Sequence, residues 1–290
     1  MSWRTVVVSR NAKLDYQMGY LVIRNDETTK VHISEISMLI LESTAISLTC
    51  YLLSELIKQK VKVVFCDEKR NPSSELVSYY GSHDTSIKIR KQIAWNKDIK
   101  ARVWTEIVAG KIRKQSALLQ KFNKPEYELL DKYTTEIEYN DTTNREGHAA
   151  KVYFNALFGL GFTRTSDTCL NAALNYGYGI LLSAFNREIV ANGYITQLGI
   201  FHDNMFNPFN FGSDLMEPFR IIVDEMVFSL ELEQFEHDEK MKVLKILDKE
   251  VSIDGRREFC LNSIRIYCRS IFEALNENDT SIIRFYRNEL

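Results

Sequence analysis

Two glutamates and one histidine in the second half of the chain have side chains that can hold a hard divalent cation. Glu146 and Glu217 lie near predicted helix starts, and His202 lies in an apolar stretch between them. Carboxylate and imidazole ligands suit Mg²⁺ or Mn²⁺ better than a structural zinc site. Such an ion neutralises charge on a phosphoryl group and activates an oxygen nucleophile. The set therefore predicts metal-dependent phosphodiester chemistry.

The residues around Glu217 allow two helix assignments. Asp214 and Glu217 are three residues apart, so they share a face of a continuous helix, but the same spacing is typical of a helix cap and its partner. Pro218 favours a helix that begins after Glu217, and this would leave the Glu217 carboxylate at the helix mouth. Arg220 follows within one turn and is a candidate phosphate-binding residue.

Each candidate also has a purely structural interpretation. A carboxylate such as Glu146 stabilises a first helical turn through the helix dipole. A lone histidine such as His202 in an apolar stretch is usually a hydrogen-bonded core residue. Asn171 lies in the apolar helix predicted over 168–192, where a polar side chain must be hydrogen-bonded or functional. Only the combination of these residues predicts a catalytic site.

Basic residues are concentrated in one segment, although the formal net charge of the chain is only −2. Residues 88–124 contain eleven Lys or Arg and two acids, whereas the remaining chain contains 26 basic and 37 acidic residues. A segment of +9 attracts polyanions by neutralising phosphates; the alternative is a solvated helix face. The predicted contacts to a phosphate backbone are Lys88, Arg90, Lys91, Lys97, Lys100 and Arg145.

The order of predicted elements indicates an α+β protein with two domains. Residues 1–85 contain short β-rich runs, such as 61–66, and one amphipathic helix over about 47–59. They predict a mainly-β, sandwich-like domain that ends in a connector over 67–87. From residue 86 to 290 the periodicity predicts an all-α domain, with helices that include 88–109, 113–122, 238–250, 255–275 and 280–288.

Composition argues against several protein classes. The longest apolar stretches, such as 177–185, are shorter than the roughly 20 residues of a spanning helix. The first residues lack the pattern of a signal peptide, so a soluble cytoplasmic protein is expected. The five cysteines form no CxxC pair, which argues against zinc or disulfide frameworks and predicts small core residues. The sequence contains no GxSxG, Walker-type or GxGxxG motif.

Four segments together resemble the CRISPR-associated integrase family, Cas1. They occur in the family's order, span about 75 residues, and fit the β-then-helical layout of the whole chain. The stretch over 206–211 resembles the type II branch. The four segments are Glu146-Gly-x-Ala-Ala-x-x-Tyr153-Phe154, Asp167-x-x-x-Asn171-Ala-x-Leu-Asn-Tyr-Gly-Tyr178, Gly199-x-x-His202 and Asp214-Leu-Met-Glu217-Pro-Phe-Arg220.

The resemblance implies roles for individual residues of this chain. Glu146, His202 and Glu217 would ligate Mg²⁺ or Mn²⁺, although many relatives have aspartate at the last position. Asp214 would be a second acidic contributor to the site. Arg220 and Asn171 match a basic and a polar position near the metal. The N-terminal β domain would form a homodimer, and the C-terminal helical domain would be catalytic.

The implied reaction is spacer acquisition in antiviral defense. The 3′-hydroxyl of a short DNA fragment would attack a phosphodiester at the edge of a CRISPR repeat, a transesterification, and attack by water would appear as endonuclease activity. The implied partners are double-stranded DNA and Cas2, in a heterohexamer of two integrase dimers and one Cas2 dimer; other adaptation proteins are further candidates. Two alternatives stay open: a structure-specific metal-dependent nuclease on branched DNA, and a non-catalytic DNA-binding scaffold.

Overall fold

The computed structural model describes residues 4–78 and 82–287, and it confirms a β-rich region followed by a mostly helical one. The strands are β1 (Arg4–Val8), β2 (Ala12–Gln17), β3 (Tyr20–Arg24), β4 (Thr28–His32), β5 (Ile36–Leu41), β6 (Ile46–Leu48), β7 (Lys62–Cys66), β8 (Pro72–Leu76), β9 (Glu250–Ile253) and β10 (Arg256–Phe259). The helices are α1 (Cys50–Lys58), α2 (Thr85–Ala94), α3 (Lys97–Lys121), α4 (Tyr127–Thr135), α5 (Arg145–Phe158), α6 (Cys169–Ala191), α7 (Asn210–Met216), α8 (Arg220–Ser229), α9 (His237–Leu244) and α10 (Cys260–Glu277).

The N-terminal region contains two four-stranded sheets. One has the order β1-β5-β7-β8, in which the first three strands are parallel, and the other has the order β4-β3-β2-β6. Their inner faces share a cluster that includes Val6, Leu14, Leu21 and Leu39. This arrangement confirms the predicted sandwich-like region.

The first sheet is buried on both faces at its inner strand β5. All six residues of β5 are buried, which explains the uninterrupted apolar run, since only a strand covered on both sides needs one. Leu39 and Leu41 face the sandwich core, whereas Met38 and Ile40 join the core of the helical region. The first sheet therefore contributes side chains to the cores of both regions. The domain boundary predicted near residue 85 stays a prediction.

The connector predicted over 67–87 contains strand β8, so that part of the prediction was wrong. Residues 72–76 pair antiparallel with β7 at the sheet edge and are half-buried or exposed. An edge strand of this kind needs no alternating apolar pattern, and Pro72 at its first position costs no ladder hydrogen bond. Residues 79–81, within the predicted connector, lie outside the described residues.

The central helix of the second region is longer than predicted. α3 runs unbroken from Lys97 to Lys121 and begins after Asn96, whose side chain accepts a hydrogen bond from Ile99 N. The predicted break between helices at residues 110–112 is therefore absent, and the break lies at residues 95–96, between α2 and α3. Gly110 lies inside α3 and leaves room for the Phe285 ring, since a Cβ on Gly110 would lie 2.7 Å from that ring.

A β-hairpin interrupts the part that was predicted to be all helical. β9 and β10 pair antiparallel, and the turn residues Asp254 and Gly255 have φ of 54° and 72°. Asp-Gly is typical of such a two-residue turn, so the signal was present within the predicted helices over 238–250 and 255–275. Near the C-terminus, residues 280–282 form one 3₁₀ turn in place of the helix predicted over 280–288, whose residue 288 lies outside the described residues.

The apolar helix predicted over 168–192 is α6. The side chain of its N-cap, Thr168, accepts a hydrogen bond from Asn171 N, and Leu174, Leu181 and Phe185 are fully buried on its inner face. Across residues 4–78 and 82–287, no helix is long and apolar enough to cross a membrane. Cys66, Cys260 and Cys268 are buried as predicted, whereas Cys169 is half-buried and Cys50 is exposed.

Candidate active site

A buried lysine connects the two predicted glutamate ligands. Lys111 is on α3, and its side chain is 8% exposed. Its Nζ donates to Glu146 Oε1 and, at 2.5 Å, to Glu217 Oε2. The two carboxylates come from α5 and from the turn between α7 and α8. The structure therefore brings Glu146 and Glu217 together around one positive charge.

Glu217 lies in a 3₁₀ turn that interrupts an otherwise helical stretch. The turn Glu217–Phe219 joins α7 directly to α8. Pro218 is its second residue, and no cap arrangement with Asp214 forms. Arg220 Nε donates to Glu217 Oε1 at 2.9 Å. Burial alone would raise the pKa of Glu217, but Arg220 and Lys111 overcome this effect and lower the pKa to about 2. Glu217 is therefore a carboxylate at neutral pH.

Glu146 lies in the first turn of α5, as predicted, and an unpredicted aspartate fixes that turn. The Asp141 carboxylate accepts hydrogen bonds from the backbone N–H groups of Arg145 at 2.7 Å and Glu146 at 3.0 Å. The Asn144 side chain accepts from Gly147 N at 3.3 Å. These side chains satisfy the free N–H groups at the helix start, and they hold the backbone that directs Glu146 towards Lys111.

His202 is held by Asp214. The Asp214 carboxylate is fully buried and accepts from the backbone N–H groups of Ile200, Phe201 and His202 at 2.6 to 3.1 Å. Its Oδ1 also contacts His202 Nδ1 at 2.5 Å. Gly199 permits this wrapping, since a Cβ there would lie 2.7 Å from Asp214 Oδ2. Asp214 and Glu217, three residues apart, therefore serve different parts of the site.

The charges of the two glutamates act on the imidazole of His202. Its pKa is raised by the hydrogen bond with Asp214 and further by the charges of Glu217 and Glu146, against the effect of partial burial. Trp104 of α3 packs edge-on against the imidazole at 5.7 Å between ring centroids. A histidine whose Nδ1–H donates to a carboxylate keeps the Nε2 lone pair available for a ligand or a proton.

A cluster of tyrosines and arginines flanks Glu217. The guanidinium groups of Arg220 and Arg164 lie 4.8 and 5.1 Å from the ring centroid of Tyr178. The Tyr178 hydroxyl donates to Asp224, and Tyr153 donates to the same carboxylate at 3.0 Å. Burial raises the pKa of Asp224 to about 6, although both tyrosines act in the opposite direction. The cluster places two guanidinium groups beside one rigid ring.

Asn171 is not in contact with the glutamate–lysine cluster. Its Nδ2 donates to the backbone carbonyls of Thr163 and Ser166, and its Oδ1 accepts from Arg164 Nη1 at 2.6 Å. Arg164 also donates to Asn175. Within the described residues, Asn171 therefore connects to the site through Arg164.

The predicted DNA contacts lie in different environments. Arg90, Lys91 and Lys97 are exposed and Lys100 is half-buried. Lys88 pairs with Asp84 at 3.8 Å, and Arg145 pairs with Glu136 at 3.0 Å. The segment over 88–124 is not one basic face, since the side chains of Lys111 and Lys114 turn inwards.

Helix α2, which carries Arg90 and Lys91, is attached to the segment that leads to His202. The buried Gln92 side chain donates to the carbonyls of Ile195 at 2.9 Å and Leu198 at 3.0 Å, and it accepts from Ile195 N at 3.0 Å. The exposed cations of α2 therefore have a fixed position relative to the site.

Comparison with known proteins assigns the chain to a family. The sequence model of the family described as CRISPR associated protein Cas1 matches residues 5–251. The chain is 34% identical over 232 residues to the CRISPR-associated endonuclease Cas1 of Neisseria meningitidis serogroup C (strain 8013), and the match covers 79% of this chain and 76% of the relative. The chain belongs to the Cas1 family. The resemblance expected from the four segments is confirmed.

Two solved structures share the fold of this Cas1 family member. A casposase bound to integration product has a TM-score of 0.76 and 19% identity, covering 97% of this chain and 92% of that one. A chain of a Cas6-RT-Cas1–Cas2 complex has a TM-score of 0.75 and 15% identity over 99% of this chain. The chain spans only 36% of the length of that longer chain. At these identities the likeness concerns the fold.

The donor set of this Cas1 family member fits a divalent cation in chemistry. Two carboxylates converge on a positive charge, and an imidazole with Nδ1 already bound lies within electrostatic range. In the parts of the chain that the structure describes, however, no three His, Cys, Asp or Glu side chains are gathered closely enough to hold a metal ion. Lys111 occupies the position between Glu146 and Glu217, so metal ligation stays a prediction.

Sequence reasoning missed Lys111, Asp141 and Arg164. Lys111 follows Ile107 and Val108 by four and three residues, on the buried face of α3. A lone lysine on an apolar helix face was therefore visible, but it was counted with the basic segment. Asp141 and Arg164 lie in connections between helices, where no periodic pattern marks a side chain that turns towards a neighbouring element.

Proposed function

We propose that this Cas1 family member is a metal-dependent DNA integrase that acts in the cytoplasm. It joins the 3′-hydroxyl ends of short DNA fragments to a CRISPR repeat by transesterification, with associated endonuclease activity. The observation that carries the proposal is the convergence of Glu146 and Glu217 on one positive charge, close to a histidine held by Asp214. The names of the Neisseria relative, an endonuclease, and of the casposase complex, which contains an integration product, support the same class of chemistry.

Glu146, Glu217 and His202 would hold Mg²⁺ or Mn²⁺, and Asp214 would orient His202 through its contact with Nδ1. The ion would supply charge stabilisation at the phosphate and a more acidic attacking hydroxyl. Arg220 lies beside Glu217 with its guanidinium against Tyr178, and this position suits binding of a nonbridging phosphate oxygen. Asn171 acts further out by holding Arg164, whose guanidinium lies at the same tyrosine.

The proposed assembly is a homodimer formed through the N-terminal β region, two copies of which combine with a Cas2 dimer. The presence of Cas2 in the complex that contains a similar chain supports this partnership. Double-stranded DNA is the proposed substrate, both as spacer precursor and as CRISPR repeat. Exposed cations of α2 and the start of α3 would bind its backbone.

A strand-transfer assay with Glu217→Gln tests the catalytic proposal. Full-length protein, Cas2, a labelled short duplex and a repeat-bearing plasmid are incubated with Mn²⁺ or EDTA. We expect covalent joining with Mn²⁺ and none with EDTA. Joining should fall by more than about 100-fold in Glu217→Gln, because the variant has lost a carboxylate that holds the cation.

Glu233→Gln is the matched control for that assay, since Glu233 is exposed and lies beyond the end of α8, outside the turn at Glu217. It should join DNA at the wild-type rate. Cleavage without joining would favour the structure-specific nuclease. DNA binding with neither reaction, in the presence of Cas2, would favour the non-catalytic scaffold.

Charge reversal on α2 tests the DNA-binding proposal. We expect Arg90→Glu combined with Lys91→Glu to weaken DNA binding uniformly across sequences and to reduce the slope of log affinity against log salt by about 2, because each lost phosphate contact removes about one released counterion. Fluorescence anisotropy of a labelled duplex over a range of salt concentrations measures the slope. Lys242→Glu combined with Lys245→Glu, an equal charge change at exposed residues of another surface, should leave it near the wild-type value. Equal slopes for both double variants would contradict DNA binding by α2 and would indicate that its cations form only a solvated helix face.

A further inference from the structure

Lys111 has an arrangement that a simple structural ion pair does not require. One buried ammonium is bound by two carboxylates that belong to different elements, 35 and 106 residues away along the chain. The cost of removing charges from water can exceed what a buried ion pair returns, and apolar residues of similar volume are often at least as stabilising. The position of this lysine therefore calls for an explanation in terms of the site.

The two carboxylates need a cation between them in the metal-free protein. Glu217 is 5% exposed, and two ionised carboxylates that converge without a counter-charge repel each other. Lys111 supplies that charge through Glu146 Oε1 and Glu217 Oε2, whereas Arg220 binds the other Glu217 oxygen, Oε1. If the lysine left, Glu217 would still be oriented by Arg220.

The backbone of Lys111 is fixed while its side chain is long and flexible. The preceding residue, Gly110, packs directly against the Phe285 ring and leaves no room for a Cβ, so the α3 backbone is tightly packed at this point. A lysine has a four-carbon stem with several rotatable bonds. The ammonium can therefore leave the two carboxylates by rotation of the side chain alone.

We propose that Lys111 is a positioning residue that holds Glu146 and Glu217 together in the metal-free protein, and that a divalent cation binds by displacing its ammonium from both carboxylates. The proposal rests on the metal site of the proposed function. It names the oxygens that exchange one cation for the other, Glu146 Oε1 and Glu217 Oε2. It also explains why these glutamates converge although no third metal-ligand side chain is gathered with them in the described residues.

Lys111→Met tests this displacement, because methionine is unbranched and only one atom shorter than lysine, and it carries no charge. Mn²⁺ binding to the full chain is measured by isothermal titration calorimetry, together with the Tm with and without Mn²⁺. The variant should bind Mn²⁺ at least about tenfold more tightly than the wild type, since no ammonium competes for the carboxylates. Its metal-free Tm should be lower, and its Tm should rise more on addition of Mn²⁺.

Lys114→Met is the matched control. Lys114 lies on the same helix, but its Nζ donates to the carbonyl of Tyr286 and not to the glutamates. The variant removes a lysine within one turn of Lys111, although burial lowers the pKa of Lys114 to about 7. Its Mn²⁺ affinity should stay within about twofold of the wild type, because Lys114 does not occupy the metal position. Lys111→Gln provides a second uncharged variant with a different side-chain shape, so that the result does not depend on the folding of one protein.

The outcomes separate this inference from the proposed function. Equal or weaker Mn²⁺ binding by both Lys111 variants, with clear binding by the wild type, would overturn the displacement and leave the metal site standing. Tighter binding by both Lys111 and Lys114 variants would reduce the effect to general electrostatics and would also overturn it. Absence of Mn²⁺ binding in every variant would remove the metal site and the displacement together.

Discussion

His202→Ala is expected to abolish metal-dependent DNA joining while leaving the fold intact. The substitution removes an imidazole that Asp214 holds through Nδ1 and that feels the charges of Glu217 and Glu146. Joining should therefore fall by more than about 100-fold, beyond the usual effect of losing a residue that only orients a ligand. Because the His202 side chain is 42% exposed, its loss should cost little stability. Covalent joining of a labelled duplex to the repeat plasmid measures activity, and circular dichroism with analytical ultracentrifugation checks the fold and the oligomeric state.

His83→Ala is the control for this variant, since His83 is an exposed histidine in the segment before α2. Its joining rate should match the wild type. Full activity of His202→Ala would remove His202 from the site, and a parallel loss in His83→Ala would point to a general effect on DNA binding.

The pH dependence of stability should also change in His202→Ala. The pKa of His202 is raised from its ordinary value of 6.5, first by the hydrogen bond with Asp214. A raised pKa in the folded state stabilises the metal-free protein fully below pH 6.5, and this stabilisation is lost as the pH rises through the folded-state pKa. Urea unfolding of the metal-free proteins should show this loss in the wild type and not in His202→Ala.

Asp214→Asn is expected to lower both stability and joining. The Asp214 carboxylate accepts three backbone N–H groups and the imidazole, whereas an asparagine has one acceptor oxygen and directs an NH₂ group at remaining donors. Leaving buried donors unpaired should cost about 3 kcal/mol in the free energy of unfolding. Joining should fall about 10- to 100-fold, because His202 loses the partner that orients it.

Asp203→Asn is the matched comparison for Asp214→Asn. Asp203 is exposed and directly follows His202, so its substitution should change the free energy of unfolding by no more than about 0.5 kcal/mol. Urea unfolding and the joining assay give both quantities. Unchanged stability of Asp214→Asn would contradict the role of its carboxylate in holding residues 200–202. Lost stability with unchanged joining would show that His202 works without this orientation.

Local sequence patterns predicted most of the fold because they reflect burial. The apolar runs of β5 and β7 lie between two cores, and the four-residue spacing of α6 lies against one. The errors occur where burial leaves no periodic trace. β8 is a polar edge strand, and the β9–β10 hairpin depends on the Asp254-Gly255 turn within a pattern that otherwise resembles a helix.

The types of residue in the candidate site could also be predicted from sequence, since motif spacing identified Glu146, His202 and Glu217 together with Asp214 and Arg220. The contacts that each of these side chains makes could not be predicted from the sequence. Asp214 and Glu217 share a short segment, yet one carboxylate holds the His202 loop and the other meets Lys111 and Arg220.

By itself, the sequence determined the order of β and helical regions, the family and the set of candidate ligands, because each depends on local pattern or motif spacing. Only the tertiary structure decided that Lys111, counted among the basic residues of a charged segment, lies between the two glutamates. That contact joins side chains up to 106 residues apart. Its existence depends on how α3 packs against α5 and the turn at Glu217, and the spacing of residues along the chain carries no information about such packing.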